Sequence, residues 1–221
     1  MSSVYDCADT DSRAAGISAA TSALKSGRLV VVPTDTVYGL AADAFDSTAV
    51  NALLAAKRRG RDMPVPVLVG SWHTIDGLVF SVRPQARELI SAFWPGGLSL
   101  VVQQAPSLAW DLGDTRGTVM LRMPLHPVAL ELLREVGPLA VSSANVSGKP
   151  PATTSDEARE QLAGLVDVYL DGGRAEKSVP STIVDLTADQ PRILREGAVS
   201  AADVAEVLGT TPEALTSAPA R

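Results

Sequence analysis

The stretch Arg28-Leu29-Val30-Val31-Val32-Pro33-Thr34-Asp35-Thr36-Val37-Tyr38-Gly39-Leu40 decides how the rest of the chain is read. Residues 28 to 32 form a continuous apolar run closed by a proline, the pattern of a strand buried on both faces. Two threonines and an aspartate follow at once, at that strand's C-terminal end. Open α/β sheets place ligands there, although the same residues also serve as a capped turn that satisfies loose backbone groups.

Outward from this stretch, helical and strand periods alternate. Residues 9 to 25 read as a helix with Ile17, Ala20 and Leu24 on one face and Gly27 as its stop. Ser47 is a candidate cap for a helix over 48–59, ended by Gly60, and a strand is expected over 65–69. Pro84 opens a helix that Trp94-Pro95-Gly96-Gly97 stops. Strands over 98–103 and 118–123 flank a loop at 104–117. A helix over 127–136, a strand over 138–142, a helix over 155–164, strands over 166–170 and 181–186 and a last helix over 201–209 complete the set. Several consecutive strands lack an intervening helix, so the reading is one α/β domain over 9–205 with a mixed parallel and antiparallel sheet. Residues 206–221 are expected as a flexible tail, and the N-terminal segment with Cys7 as mobile.

Composition narrows the function. Of 221 residues, 46% are hydrophobic and 20% charged, which suits a globular core and excludes global disorder. Lys+Arg 19 against Asp+Glu 25 leaves a net charge of −6, contrary to a protein that grips nucleic-acid phosphates. One cysteine excludes an internal disulfide, and His73 and His126 alone make no Cys/His metal cluster. The aspartates of the N-terminus do not suit a signal peptide, and the longest uncharged stretch, 89–110, is broken by Pro95, Gly96 and Gly97. A cytoplasmic protein without a membrane span is expected.

Two more segments carry polar residues that a core does not need. Lys57-Arg58-Arg59-Gly60-Arg61 sets four cations in five residues at the end of the expected helix. A helix's last turn uses one or two cations against its dipole, and four suggest an anionic ligand such as a triphosphate. Ser142-Ser143-Ala144-Asn145-Val146-Ser147-Gly148-Lys149 follows an apolar strand, and its small residues allow backbone N–H groups to converge on an oxyanion. A plain serine-rich loop has the same composition. No G-x-S-x-G or Walker A spacing occurs, so the chemistry rests on positioning and electrostatics.

The segments 33–40, 57–59, 118–124, 142–148, 181–186 and 193–199, in that order, resemble the YrdC-like family from about Gly27 to Val199. The resemblance implies a twisted mixed sheet around a concave, positively lined cavity. It implies synthesis of L-threonylcarbamoyladenylate and pyrophosphate from L-threonine, bicarbonate and ATP with Mg²⁺, the first step of tRNA threonylcarbamoyladenosine modification. The adenylate would pass to a downstream transfer complex. By matching positions, Thr34, Arg122 and Ser181 look like threonine contacts. Lys57, Arg59, Thr118, Ser143, Asn145, Thr153 and Arg195 look like ATP-side contacts, with Lys57 and Arg59 positioning the phosphates and no discrete acid or base and no protein-bound metal. Arg58, Arg61 and Lys149 are basic neighbours. The chain departs from the family pattern at Gly60, at Leu68 where some members have histidine, at Gly97-Leu98-Ser99 and at Pro151-Ala152. The short form of the family, without a second domain, is the expected type. A YrdC-like RNA-binding protein that makes no adenylate is the alternative, and a carbamoyl-carrying relative from hydrogenase maturation is a third.

Overall fold

In the computed structural model, which describes residues 2–175 and 179–216, the apolar run becomes β2 (Val30–Val32), with all three residues buried. It lies inside a sheet completed by β1 (Ser3–Asp6), β3 (Gly39–Asp43), β4 (Val67–Leu68), β5 (Leu98–Gln103), β6 (Thr118–Arg122), β7 (Leu139–Ser143), β8 (Val168–Asp171), β9 (Thr182–Asp185) and β10 (Arg192–Arg195). The order among the described residues is β1-β8-β2-β3-β7-β4-β6-β5-β9-β10. β8 is parallel to β1 and β2, β4 to β6 and β5 to β9; the other neighbours are antiparallel. The sheet is therefore mixed, as expected.

The helices are α1 (Thr10–Lys25), α2 (Ser47–Ala56), α3 (Pro84–Phe93), α4 (Pro127–Val136), α5 (Ser155–Leu162), α6 (Ala201–Val207) and α7 (Pro212–Thr216). Strand alternation divides their packing between two faces. Val30, Val32, Ala41, Leu139 and Val141 point to the face covered by Ile17, Ala20 and Leu24 of α1 and by Val128 and Leu132 of α4. Val31, Leu40, Ala42 and Ala140 point the other way, to a larger core that takes in Leu53, Leu89, Leu162 and Val204. The first face continues past α1 and α4 as an open floor. Register places Val141, Leu68, Met120, Ser99 and Ile183 side by side on it.

Several elements differ from the sequence reading. The N-terminal segment is not mobile: Ser3–Asp6 pairs with β8, and Cys7 is buried with its N–H donating to Asp171 O. β3 and β10 are additional strands, made by pairing with neighbours rather than by local propensity. β4 is short because Pro64 and Pro66 flank Val65 and lack ladder donors. α2 starts from Asp46, whose carboxylate accepts from Thr48 N and Ala49 N, not from Ser47. It also stops at Ala56 instead of Arg59, because Arg58 takes a left-handed φ of 52°. The expected tail contains α7, packed on α6 and β10 with Leu215 buried; residues 217–221 lie outside the described residues. No helix among the described residues is long and apolar enough to cross a membrane.

If α7 belongs to the fold, Leu215→Ala lowers the unfolding free energy in urea by about 2 kcal/mol or more, the low end for truncating a buried leucine. A frayed tail would leave the urea midpoint unchanged.

Candidate functional site

A cleft of about 230 Å³ opens over the uncovered part of the first face. Its wall brings together Thr34 and Thr36 after β2, Arg59 after α2, Arg122 at the end of β6, Ser142 and Ser143 at the end of β7, and Ser181 and Arg195 beside β9 and β10. All three polar segments singled out in the sequence thus meet at one place. Gly39 on the floor has no room for a side chain, since a Cβ there would stand 2.6 Å from Val141 Cγ1.

Arg122 ties the wall together. Its Nε donates to Gly96 O (2.8 Å), Nη1 to Thr36 Oγ1 (2.8 Å) and Nη2 to Asp35 Oδ1 (2.6 Å). Asp35 Oδ1 also accepts from Leu125 N (2.9 Å), and both members of this ion pair are buried. Thr36 Oγ1 lies 3.1 Å from Thr34 Oγ1, which donates to Val37 O (2.7 Å). The Pro33–Tyr38 turn is therefore stitched from inside, and only part of the Arg122 fork remains for a ligand.

The cationic turn works differently from a dipole-compensating last turn. Left-handed Arg58 sends its own side chain to solvent and its two neighbours inward. Lys57 is buried, and its Nζ donates to Ser143 O (2.5 Å) and Asn145 O (2.8 Å), with Ser143 Oγ at 3.4 Å and Asn145 Oδ1 at 3.3 Å. Its carbonyl accepts from Ser147 N (2.9 Å), so Lys57 staples the 143–147 loop to the helix. Burial, and then the Arg59 charge, push its ammonium down to about 8. Arg59 lines the cleft, donating to Ser142 Oγ (3.2 Å) and Pro64 O (3.0 Å), while its buried Nε has no protein partner.

On the far wall, Ser181 Oγ and Ser99 Oγ are 2.9 Å apart, and Arg195 donates twice to Ser181 O (3.1 and 2.7 Å). Gly197 allows this: a Cβ there would lie 2.2 Å from Pro180 O. Arg59, Arg122 and Arg195 all sit below the usual guanidinium range, chiefly through desolvation. The Arg195 charge adds to the effect on Arg59 and Arg122. Cations gathered on one cleft favour an anion there.

Of the residues expected from the sequence, Thr34, Arg59, Arg122, Ser143, Ser181 and Arg195 share the cleft wall. Lys57 and Asn145 stand behind it: Asn145 Nδ2 donates to Val146 O (3.0 Å) and Lys149 O (2.7 Å), bracing the loop. Thr118 shares a strand face with Met120 and Arg122 but lies beyond the wall, its hydroxyl donating to Thr115 O (2.8 Å). Thr153 is committed to the first turn of α5, its N–H and hydroxyl both bound to Glu157 Oε2, and also receives Arg174 Nη1. Thr36, Ser99 and Ser142 are wall residues to which the sequence reading gave no ligand role. Strand alternation in Leu98–Gln103 was the available signal for Ser99, a hydroxyl on the face opposite Leu98 and Leu100. Among the described residues no group of three or more His, Cys, Asp or Glu could hold a metal ion.

Residues 22–197 match the family model named for Sua5, YciO and YrdC and described as "Telomere recombination". A Mycobacterium tuberculosis protein named "Putative threonylcarbamoyl-AMP synthase" is 66% identical over 215 residues, 97% of this chain and 99% of its own. The fold superposes on a double variant of Pyrococcus abyssi Sua5 with a TM-score of 0.90 at 33% identity, over 96% of this chain and 61% of that one. On Sua5 of the same organism complexed with L-threonine, the TM-score is 0.85 at 35% identity, over 88% of this chain and 58% of that one. The chain thus spans about three fifths of the length of these two structures.

Two outcomes test the geometry. Asp35→Asn leaves the Arg122 charge buried without its partner and destabilises the fold by about 3 to 5 kcal/mol; in a denaturation cycle, adding Arg122→Met recovers part of that loss. For Lys57, the folded ammonium releases its proton near pH 8 while the unfolded chain holds it to about 10.5. Between these values the unfolded state binds more protons, so stability gains an upward slope with pH. Urea titrations across that window should show the slope in the native chain and lose it in Lys57→Met.

Proposed function

The chain belongs to the Sua5, YciO and YrdC family, and we propose from that premise that its cleft makes threonylcarbamoyl-AMP and pyrophosphate from L-threonine, bicarbonate and Mg²⁺-bound ATP. The observation that carries the reading is the convergence of Arg59, Arg122 and Arg195 with the hydroxyls of Thr34, Ser143 and Ser181 in one cleft. The reaction joins a carbamate oxygen to the α-phosphorus of ATP as pyrophosphate leaves. Such a displacement needs reactants held in line and charge neutralised on the leaving group, which is what guanidiniums in a partly desolvated cleft supply.

Roles follow from placement. Arg59, with an unspent Nε–H, and Arg195 take phosphate oxygens, and Ser143 adds a hydroxyl. Lys57 and Asn145 act through the 143–147 loop by fixing its shape. Thr34, Ser181 and the remaining donors of Arg122 take threonine; Ser99 orients Ser181. Thr118 suits an outlying part of the nucleotide, and Thr153 reaches it only by giving up Glu157 and Arg174. Mg²⁺ arrives with ATP and offsets triphosphate charge. The adenylate then serves tRNA modification in the cytoplasm through a downstream transfer complex, and the net charge of −6 fits a protein that handles the small molecule rather than the tRNA.

Incubation with Mg²⁺, ATP, bicarbonate and threonine, read by pyrophosphate release and the mass of the adenylate, tests this reading. Threonine-dependent pyrophosphate is expected; salt-sensitive tRNA binding with no turnover would favour the RNA-binding alternative. Arg59→Ala should raise the ATP requirement by about 1.5 to 3 kcal/mol, roughly ten- to a hundredfold or more, for one lost charged hydrogen bond. Unchanged ATP affinity would remove Arg59 from the phosphate site.

A further inference from the structure

We propose that the cavity between the Trp72–Gly77 turn and α3 is a second small-molecule site, built for an α-amino acid with a large apolar side chain. It lies against the larger core, on the sheet face opposite the cleft, and shares no lining residue with the cleft among the described residues. The inference therefore does not depend on what the cleft makes.

The cavity holds about 380 Å³, within the range of small-molecule sites and larger than the cleft itself. Its apolar walls are Trp72, Ile75, Val82, Ile90 and Trp94. Two of the chain's three tryptophans thus meet at one place, in a protein with 4% aromatic residues. Both indoles are held: Trp72 lies against His73 (ring centroids 3.6 Å apart), and Trp94 Nε1 donates to Leu98 O (2.8 Å). Trp72 nevertheless stays 45% exposed, a large apolar ring left for something to cover. Inward, an apolar crevice that shares Ile75, Val82, Ile90 and Trp94 runs down to Leu100 of β5 and Leu121 of β6.

The charges of the lining are of opposite sign. Asp76 of the turn and Arg87 of α3 are both exposed and both line the cavity. Arg87 stands three residues before Ile90, so the two share a helix face and the guanidinium borders the apolar wall. Arg83, one turn earlier, is taken by Asp189 (3.3 Å), whereas neither Asp76 nor Arg87 is in an ion pair among the described residues. Opposite charges that border one cavity without neutralising each other suit the two ends of a zwitterion. Asp76 takes the ammonium and Arg87 the carboxylate, which its planar fork fits. The ligand's side chain fills the apolar interior between the indoles. A fatty acid would match Arg87 alone and an alkyl amine Asp76 alone, so an apolar amino acid is the class that uses the whole lining.

Calorimetric titration of the full chain tests this, with L-phenylalanine as the probe and 3-phenylpropionate and phenethylamine as analogues lacking the ammonium or the carboxylate. One saturable site for L-phenylalanine is expected, with its affinity unchanged by saturating L-threonine. Arg87→Gln should weaken L-phenylalanine and 3-phenylpropionate severalfold and leave phenethylamine as it was. Asp76→Asn should weaken L-phenylalanine and phenethylamine and spare 3-phenylpropionate. Both side chains are exposed, so a native urea midpoint serves as the folding control for each variant. Absence of saturable binding overturns the inference, and so does binding that neither substitution alters. Binding that L-threonine competes away overturns it as well, because the ligand would then sit in the cleft. A sedimentation mass that doubles with concentration and reverts in Trp72→Ala gives the cavity to a second copy of the chain instead.

Discussion

Arg122 crosses from the end of β6 to Gly96, Thr36 and Asp35, and the arrangement of the cleft depends on that reach. A guanidinium buried this far is costly unless its charge is met and its donors are used. Asp35 meets the charge, and the carbonyl and hydroxyl take two further donors. The same contacts fix the turn after β2 relative to β6 and the Trp94–Gly97 segment, three parts of the chain that no local interaction joins. A neutral side chain of similar volume could pack there. It could not hold the Thr34–Thr36 hydroxyl pair and also leave donors aimed at a ligand.

Net charge and site charge have opposite signs, and distribution explains it. The acidic surplus lies elsewhere, while Arg59, Arg122 and Arg195 face one cleft, where the Arg195 charge depresses the other two. Holding three desolvated cations together raises the free energy of the empty cleft, and an anion that enters relieves part of it. Binding energy is thus prepared in the fold by the buried Lys57 staple, the Arg122 network and the Arg195 grip on Ser181 O, none of which has to form when the ligand arrives.

How much of this was legible in the sequence depended on whether an element is made locally. Val30–Val32, Leu98–Gln103 and Leu139–Ser143 announce themselves because their apolar runs must be buried wherever the chain goes. Gly39–Asp43, Ser3–Asp6 and Arg192–Arg195 do not, since glycine, alanine and charged residues become strands only through partners distant in sequence. At the site, polar residues at strand ends stand out against the core around them, which is why the segments holding Thr34 and Ser143 draw attention in the sequence. The direction of Lys57 was hidden because it hangs on the left-handed turn at Arg58, a backbone choice that the run of cations does not reveal. Thr153 was placed by resemblance alone, and its capture by Glu157 is a contact between α5 and the preceding loop that matching positions do not show.

The departures from the family pattern fall on the floor and on the turn beside it, and their physical weights differ. Ser99 uses its hydroxyl on Ser181, so the departure there keeps the far wall hydrogen-bonded. Gly60 leaves the turn free to follow the left-handed Arg58, while Arg61 pins it from outside through Asp111 (2.7 Å). Leu68 matters most. It pairs in register with Arg122 and borders Val141 on the floor, so the side chain beside the Arg122 guanidinium is apolar where a histidine would add a group able to titrate. An imidazole there could take up a proton within reach of the ligand. With leucine instead, the floor offers shape and the guanidiniums of Arg59, Arg122 and Arg195 offer charge.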